Sequence, residues 1–140
     1  MMMGDLMTII QYKLPVKIIV FNNRTLGMVK LEMEVAGIPD QETEMLNPDF
    51  AKIGEAMGMP GITINDPADV KQELEKAFLY EGPVLVSIQT DPNALAMPPK
   101  LELVQMEGMA LYMGKMMLGG RMDEVFNIIS SNYKHLSEVL

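Results

Sequence analysis

The chain has 140 residues, a length that suits one domain with one core. Lys and Arg total 11 against 19 Asp and Glu, and the net charge of −8 argues against general nucleic-acid binding, which needs neutralised phosphates. There is no cysteine, so disulfides and thiolate chemistry are excluded. The one histidine, His135, reads as a surface residue of a terminal helix, which leaves nothing to build a zinc site or Ser-His-Asp machinery.

No apolar run approaches the ~20 residues that span a bilayer. Met1 to Met7 carries Asp5 and no basic start, so it does not read as a signal peptide. A cytoplasmic protein is the simplest expectation. Methionine is abundant at 16, and Met106, Met109, Met113, Met116 and Met117 recur at helical spacing. Adaptable filling of a core or interface is the expected role.

Met3 to Lys13 reads as a helix with Leu6, Ile9 and Ile10 on one side, stopped at Leu14-Pro15. Val16 to Phe21 is apolar on both faces, the pattern of a central strand in a parallel sheet covered by helices. It ends at Asn22-Asn23, at the strand's carboxyl end, where open α/β sheets hold ligands. Leu26 to Val35 reads as a helix despite Gly27, and Gly37 to Asn47 as a loop. Asn47-Pro48 offers a cap and a first-turn proline for a helix with Phe50, Ile53 and Met57 on its buried face, ended by Gly58.

Gly61 to Ile64 reads as a short strand. Asp66-Pro67 opens a helix striped by Val70, Leu74, Ala77 and Phe78. Gly82-Pro83 breaks it, and Val84 to Ile88 forms a second buried strand. The alternation predicts an α/β fold with a parallel sheet and flanking helices. After Pro98-Pro99, two helices follow over Leu101–Leu118 and Asp123–Leu136, separated by Gly119-Gly120. The expected organisation is an α/β part over residues 1–97 and a helical extension over 98–140.

The segment Leu14 to Met28 carries the candidate chemistry. A buried strand delivers two amides into a turn, and an amide oxygen is a hard, neutral ligand suited to Mg²⁺ or Ca²⁺. On these residues alone an ordinary Asx turn is the better explanation of Asn-Asn.

The same segment resembles the closing half of the thiamine-diphosphate motif, which opens with Gly-Asp-Gly and ends with Asn-Asn. The resemblance implies that Asn23 supplies a side-chain oxygen and Thr25 a backbone oxygen to Mg²⁺, which grips the cofactor's diphosphate. It also implies that Asn22, Leu26, Gly27 and Met28 line the cofactor. Gly4-Asp5 lacks the second glycine of the opening half, so the chain is expected to begin inside a domain, without the first strand and the motif's acidic ligand.

Further segments are similar to pyruvate oxidases and quinone-linked pyruvate dehydrogenases. These are Glu81 to Val86, Met97-Pro98-Pro99-Lys100, Gly108 to Met113 and Gly120 to Val125. Met28 stands where oxidases of that group carry a phenylalanine. Glu32 matches a glutamate facing the reacting carbons, which makes it the candidate catalytic residue; a solvent-facing helix charge is the plain alternative.

The resemblance implies oxidative decarboxylation of pyruvate, with FAD on a separate domain passing electrons to quinone or oxygen. The implied partners are upstream domains of the same polypeptide and a second subunit, as homodimer or homotetramer. The 140 residues alone are then expected to be inactive. Quinone-linked members dock on membranes through a terminal amphipathic segment. Val125, Phe126, Ile128, Ile129, Tyr133 and Leu136 could form such a side here, or pack on the protein itself. The competing expectations are an acetolactate-synthase-like carboligase and a non-catalytic interaction module of the same fold.

Overall fold

A computed structural model describes residues 3–94 and 103–139, with side chains through Tyr133. The Pro98-Pro99 segment, the Leu101 start expected for the fifth helix and the side chains of His135 and Leu136 lie outside the described residues. The chain divides into two compact units. One comprises Met1–Asn23 and Leu46–Thr90, the other Arg24–Met45 and Asp91–Leu140.

The first unit is a parallel three-stranded sheet with helices on both faces. Its elements are α1 (Met3–Gln11), β1 (Lys17–Asn22), α3 (Phe50–Met57), β2 (Gly61–Ile64), α4 (Val70–Leu79) and β3 (Val84–Gln89). The sheet order is β1-β3-β2. Ile19 lies opposite Val86 in one ladder, and Ile62 opposite Val86 in the other.

Alternation along the strands sorts the core. Val84, Val86 and Ile88 pack with Ile64 and Ala77, and with Ile19, Ile62, Val70 and Leu74, beneath α4. Leu85 packs with Leu6 and Met59 on the opposite face, beside Ile9, Ile18, Val20 and Phe50 from α1, β1 and α3.

Two expectations change here. β1 is an edge of this sheet and β3 is its centre; Phe21 on β1 is 71% exposed, whereas Val84 to Ile88 are all buried. A run apolar on both faces reports helices above and below it, not which strands pair beside it. The cap of α3 is Asp49, whose carboxylate accepts from the Lys52 amide at 3.2 Å, two residues beyond Asn47. Asn47 is engaged elsewhere, as described below. Gly58 ends α3 at φ +98°, a left-handed conformation that residues with a side chain rarely adopt.

The second unit is helical: α2 (Gly27–Val35), α5 (Leu103–Leu118) and α6 (Met122–Val139). Tyr112 and Met116 of α5 pack on Val125 and Ile128 of α6, with Met109 and Met113 alongside. Met109, Met113 and Met116 therefore fill this core as expected, while Met106 and Met117 are exposed. The apolar side expected on α6 is split. Val125 and Ile128 are buried, and Phe126, Ile129 and Tyr133 face outward. Among the described residues, no helix is long and apolar enough to cross a membrane.

Where α2 ends, α5 comes very close. A Cβ on Gly108 would lie 1.8 Å from the Val35 carbonyl oxygen. A Cβ on Gly114 of the same helix would meet nothing within 4 Å. Gly108→Ala is therefore expected to cost about 1–3 kcal/mol through overpacking, with backbone as the obstacle. Gly114→Ala should gain up to about 1 kcal/mol of helix propensity. Urea unfolding midpoints of the two variants should move in opposite directions.

Candidate functional site

The ladder between β1 and β3 ends at Asn22 opposite Gln89, and the Thr90 amide donates to the Asn22 carbonyl at 3.1 Å. Asn22 shares a face with Ile18 and Val20 by strand alternation and is buried. Its side-chain oxygen accepts from the Asn47 amide nitrogen at 2.8 Å. Asn22 is thus turned into its own unit. Asn23, the first residue past the ladder, is half-buried. The two amides do different things: one fastens the end of the strand, and the other lies at its rim.

The division between the two units falls directly after Asn23. Arg24 begins the second unit at φ +54°, a left-handed conformation that costs a residue with a side chain about 1–2 kcal/mol. Such strain gathers where a chain is held for a purpose. Thr25 then forms an antiparallel bridge with Glu44. The bonds that frame this bridge run from the Leu26 amide to the Thr43 carbonyl and from the Met45 amide to the Arg24 carbonyl, both at 2.8 Å. In such a non-hydrogen-bonded pair the central residue's own carbonyl points away from the partner strand. The Thr25 hydroxyl also donates to the Thr43 carbonyl, at 3.1 Å.

α2 starts immediately afterwards. Leu26 stands at its cap position and provides no side-chain bond to the first-turn N–H groups. Those N–H groups form the positive end of the helix. Gly27 is half-buried, Leu26 is exposed, and Met28 is 65% exposed. Glu32, the expected catalytic carboxylate, is on the exposed side of α2. Among the described residues, no three His, Cys, Asp or Glu side chains converge to hold a metal ion.

The sequence reading missed two features. Asn47 looked like a helix cap, yet it holds Asn22 across 25 residues of chain. Glu34 of α2, which the sequence reading did not single out, is completely buried near Asp40 and Tyr112. Burial pushes the Glu34 carboxyl up from its ordinary value, and it pushes the Tyr112 hydroxyl up as well. Glu34 shares its helix side with Leu31 and with Lys30, a mixed pattern that gives no sequence signal of burial.

The family model described as thiamine pyrophosphate enzyme, C-terminal TPP binding domain, matches residues 1–88. The chain belongs to this family. It is 33% identical over 115 residues to YdaP of Bacillus subtilis (strain 168), which is named provisionally as a thiamine pyrophosphate-containing protein. That match covers 82% of this chain and 20% of the relative. Identity to the acetolactate synthase large subunit of Pyropia yezoensis is 40% over 116 residues, covering 79% of this chain and 20% of the relative. Identity to the mitochondrial acetolactate synthase catalytic subunit of Aspergillus candidus is 35% over 100 residues, covering 70% and 14%. The chain spans about a fifth or less of the length of these relatives. Thiamine-diphosphate binding is thus the family's property, and the relatives' names lean to acetolactate synthase rather than to the pyruvate oxidase expected above.

The Asn22–Asn47 bond gives a test of the strand end. Asn47→Ala leaves a buried amide oxygen without that donor, which should lower stability by about 1–3 kcal/mol. Chemical denaturation of the purified chain measures the loss.

Proposed function

We propose that this chain is the diphosphate-binding part of a longer thiamine-dependent carboligase of the acetolactate-synthase type. Such an enzyme decarboxylates pyruvate and joins the remaining two-carbon unit to a second 2-oxo acid. The observation that carries the proposal is the family match over residues 1–88, together with the two acetolactate synthases at 40% and 35% identity.

The residues present suit the cofactor. Asn23 carries a neutral amide oxygen directly past the end of β1, and Thr25 lies two residues on, just before α2. Mg²⁺ takes oxygen ligands in octahedral array and shares them with phosphates and water, so two protein oxygens of this kind are a natural contribution. The first turn of α2, without a side-chain cap, suits an anionic phosphate. In this reading Asn23 and Thr25 hold the metal, Asn22 fixes the strand end behind them, and Leu26, Gly27 and Met28 line the cofactor.

Thiamine diphosphate, when bound, supplies the electron sink that decarboxylation of a 2-oxo acid requires. The chain's own part is to anchor and orient it. Glu32, near the start of α2, is proposed to face the reacting carbons once the site is assembled with the rest of the polypeptide and a second subunit.

A second reading, oxidation of pyruvate through FAD to quinone or oxygen, rests on the segments Met97 to Met113 and Gly120 to Val125, which resemble pyruvate oxidases and lie beyond the family match. Met28 in place of the oxidase phenylalanine weighs against it. A cytoplasmic location is proposed under either reading, and contact with the inner face of the plasma membrane belongs to the second.

Two measurements test these proposals. Asn23→Ala should weaken Mg²⁺-dependent thiamine-diphosphate binding by the full-length enzyme at least about tenfold, since it removes one of the few protein oxygens on the metal. Unchanged affinity by calorimetry would remove Asn23 from the metal. Product analysis with pyruvate should give acetolactate; acetate with reduced flavin would establish the second reading instead.

A further inference from the structure

Glu34 is 0% exposed, and among the described residues its two oxygens are the buried side-chain polar atoms left without a hydrogen-bond partner. Lys30 and the Tyr112 hydroxyl are the groups that act on it in favour of charge, and the cations and donors of this unit also have other partners. Lys30, one turn earlier on α2, donates to the Asn93 side-chain oxygen at 3.1 Å. Tyr112 of α5 donates to Asp40 at 3.2 Å. Arg121 is paired with Glu124 of α6 and lies 3.6 Å from Asp40. Lys115 of α5 donates to the Gly37 carbonyl at 2.8 Å. A carboxylate held there would be desolvated, with a second acid, Asp40, close by and only Lys30 and Tyr112 to offset the cost. There is no slack to admit water by a small shift, because α2 and α5 are already in backbone contact at Val35 and Gly108.

We propose that Glu34 is a proton-operated latch. As the neutral acid it lets α2 lie against α5. When it releases its proton to solvent, the helices part and the Thr25–Met28 segment at the start of α2 loosens.

Burial is the main cause that raises the carboxyl's proton affinity. Asp40 adds to it, while Lys30 and Tyr112 act the other way. The folded protein therefore holds this proton more tightly than the unfolded chain does. The α2–α5 contact has its full strength below the ordinary glutamate value and weakens as pH rises through the raised one. The latch depends on the packing of this unit alone and stands whether the enzyme is a carboligase or an oxidase.

The test is a titration of the chain carrying ¹³C at glutamate carboxyls, followed by NMR. Glu34 is assigned through its own backbone correlations, and Glu34→Gln confirms the assignment where that variant folds. One resonance should titrate well above the other glutamates. Amide exchange in α2, corrected for its intrinsic pH dependence, should rise about tenfold for each pH unit above the ordinary glutamate value until that titration is complete. The rise should be absent in Glu34→Gln. A Glu34 resonance that titrates together with the surface glutamates would overturn the latch, as would an equal rise of exchange in both chains.

Discussion

The first unit depends on the burial of β3. Val84 to Ile88 are covered on both faces, and β3 is hydrogen-bonded along both edges, to β1 and to β2. Every residue of that strand is thereby fixed in register, since a slip by one would turn its side chains to the wrong face. The register carries over to β1, which pairs with it residue for residue from Lys17 to Asn22. The strand's end is thus placed by core packing, and Asn23 follows directly past the last rung. In open α/β sheets ligands are held at such a rim.

Much of this was legible in the chain. Gly58, Asp66-Pro67 and Gly82-Pro83 punctuate the elements as turn chemistry requires, and the order of helices and strands follows from them. The short strand Gly61–Ile64 is found with its expected bounds. What was not legible is relational. The edge position of β1 depends on which strand pairs where, and the duty of Asn47 depends on a partner far away in sequence. Both Asn47 and Asp49 have capping side chains, so local preference could not choose between them. The candidate site was visible through its resemblance to a known motif. Which of the two amides turns inward was not.

The oxidase and the carboligase share the step in which pyruvate loses carbon dioxide, and they differ in what then receives the remaining fragment. A domain whose work is to anchor a diphosphate is under the same demands in both. The resemblance to oxidase segments and the identity to acetolactate synthases can therefore coexist in one chain. The distinction between them belongs to residues that meet the second reactant.

The second unit is assembled from two stretches of chain, 24–45 and 91–140, with residues 46–90 of the first unit between them. During synthesis α2 leaves the ribosome well before α5 and α6 exist. A nine-residue helix is too short to persist alone in water. The nascent chain can thus close β1 against β3 as soon as Gln89 has emerged, while the stretch following Asn23 waits for the carboxy-terminal helices. Glu34 then loses its water among the last events of maturation.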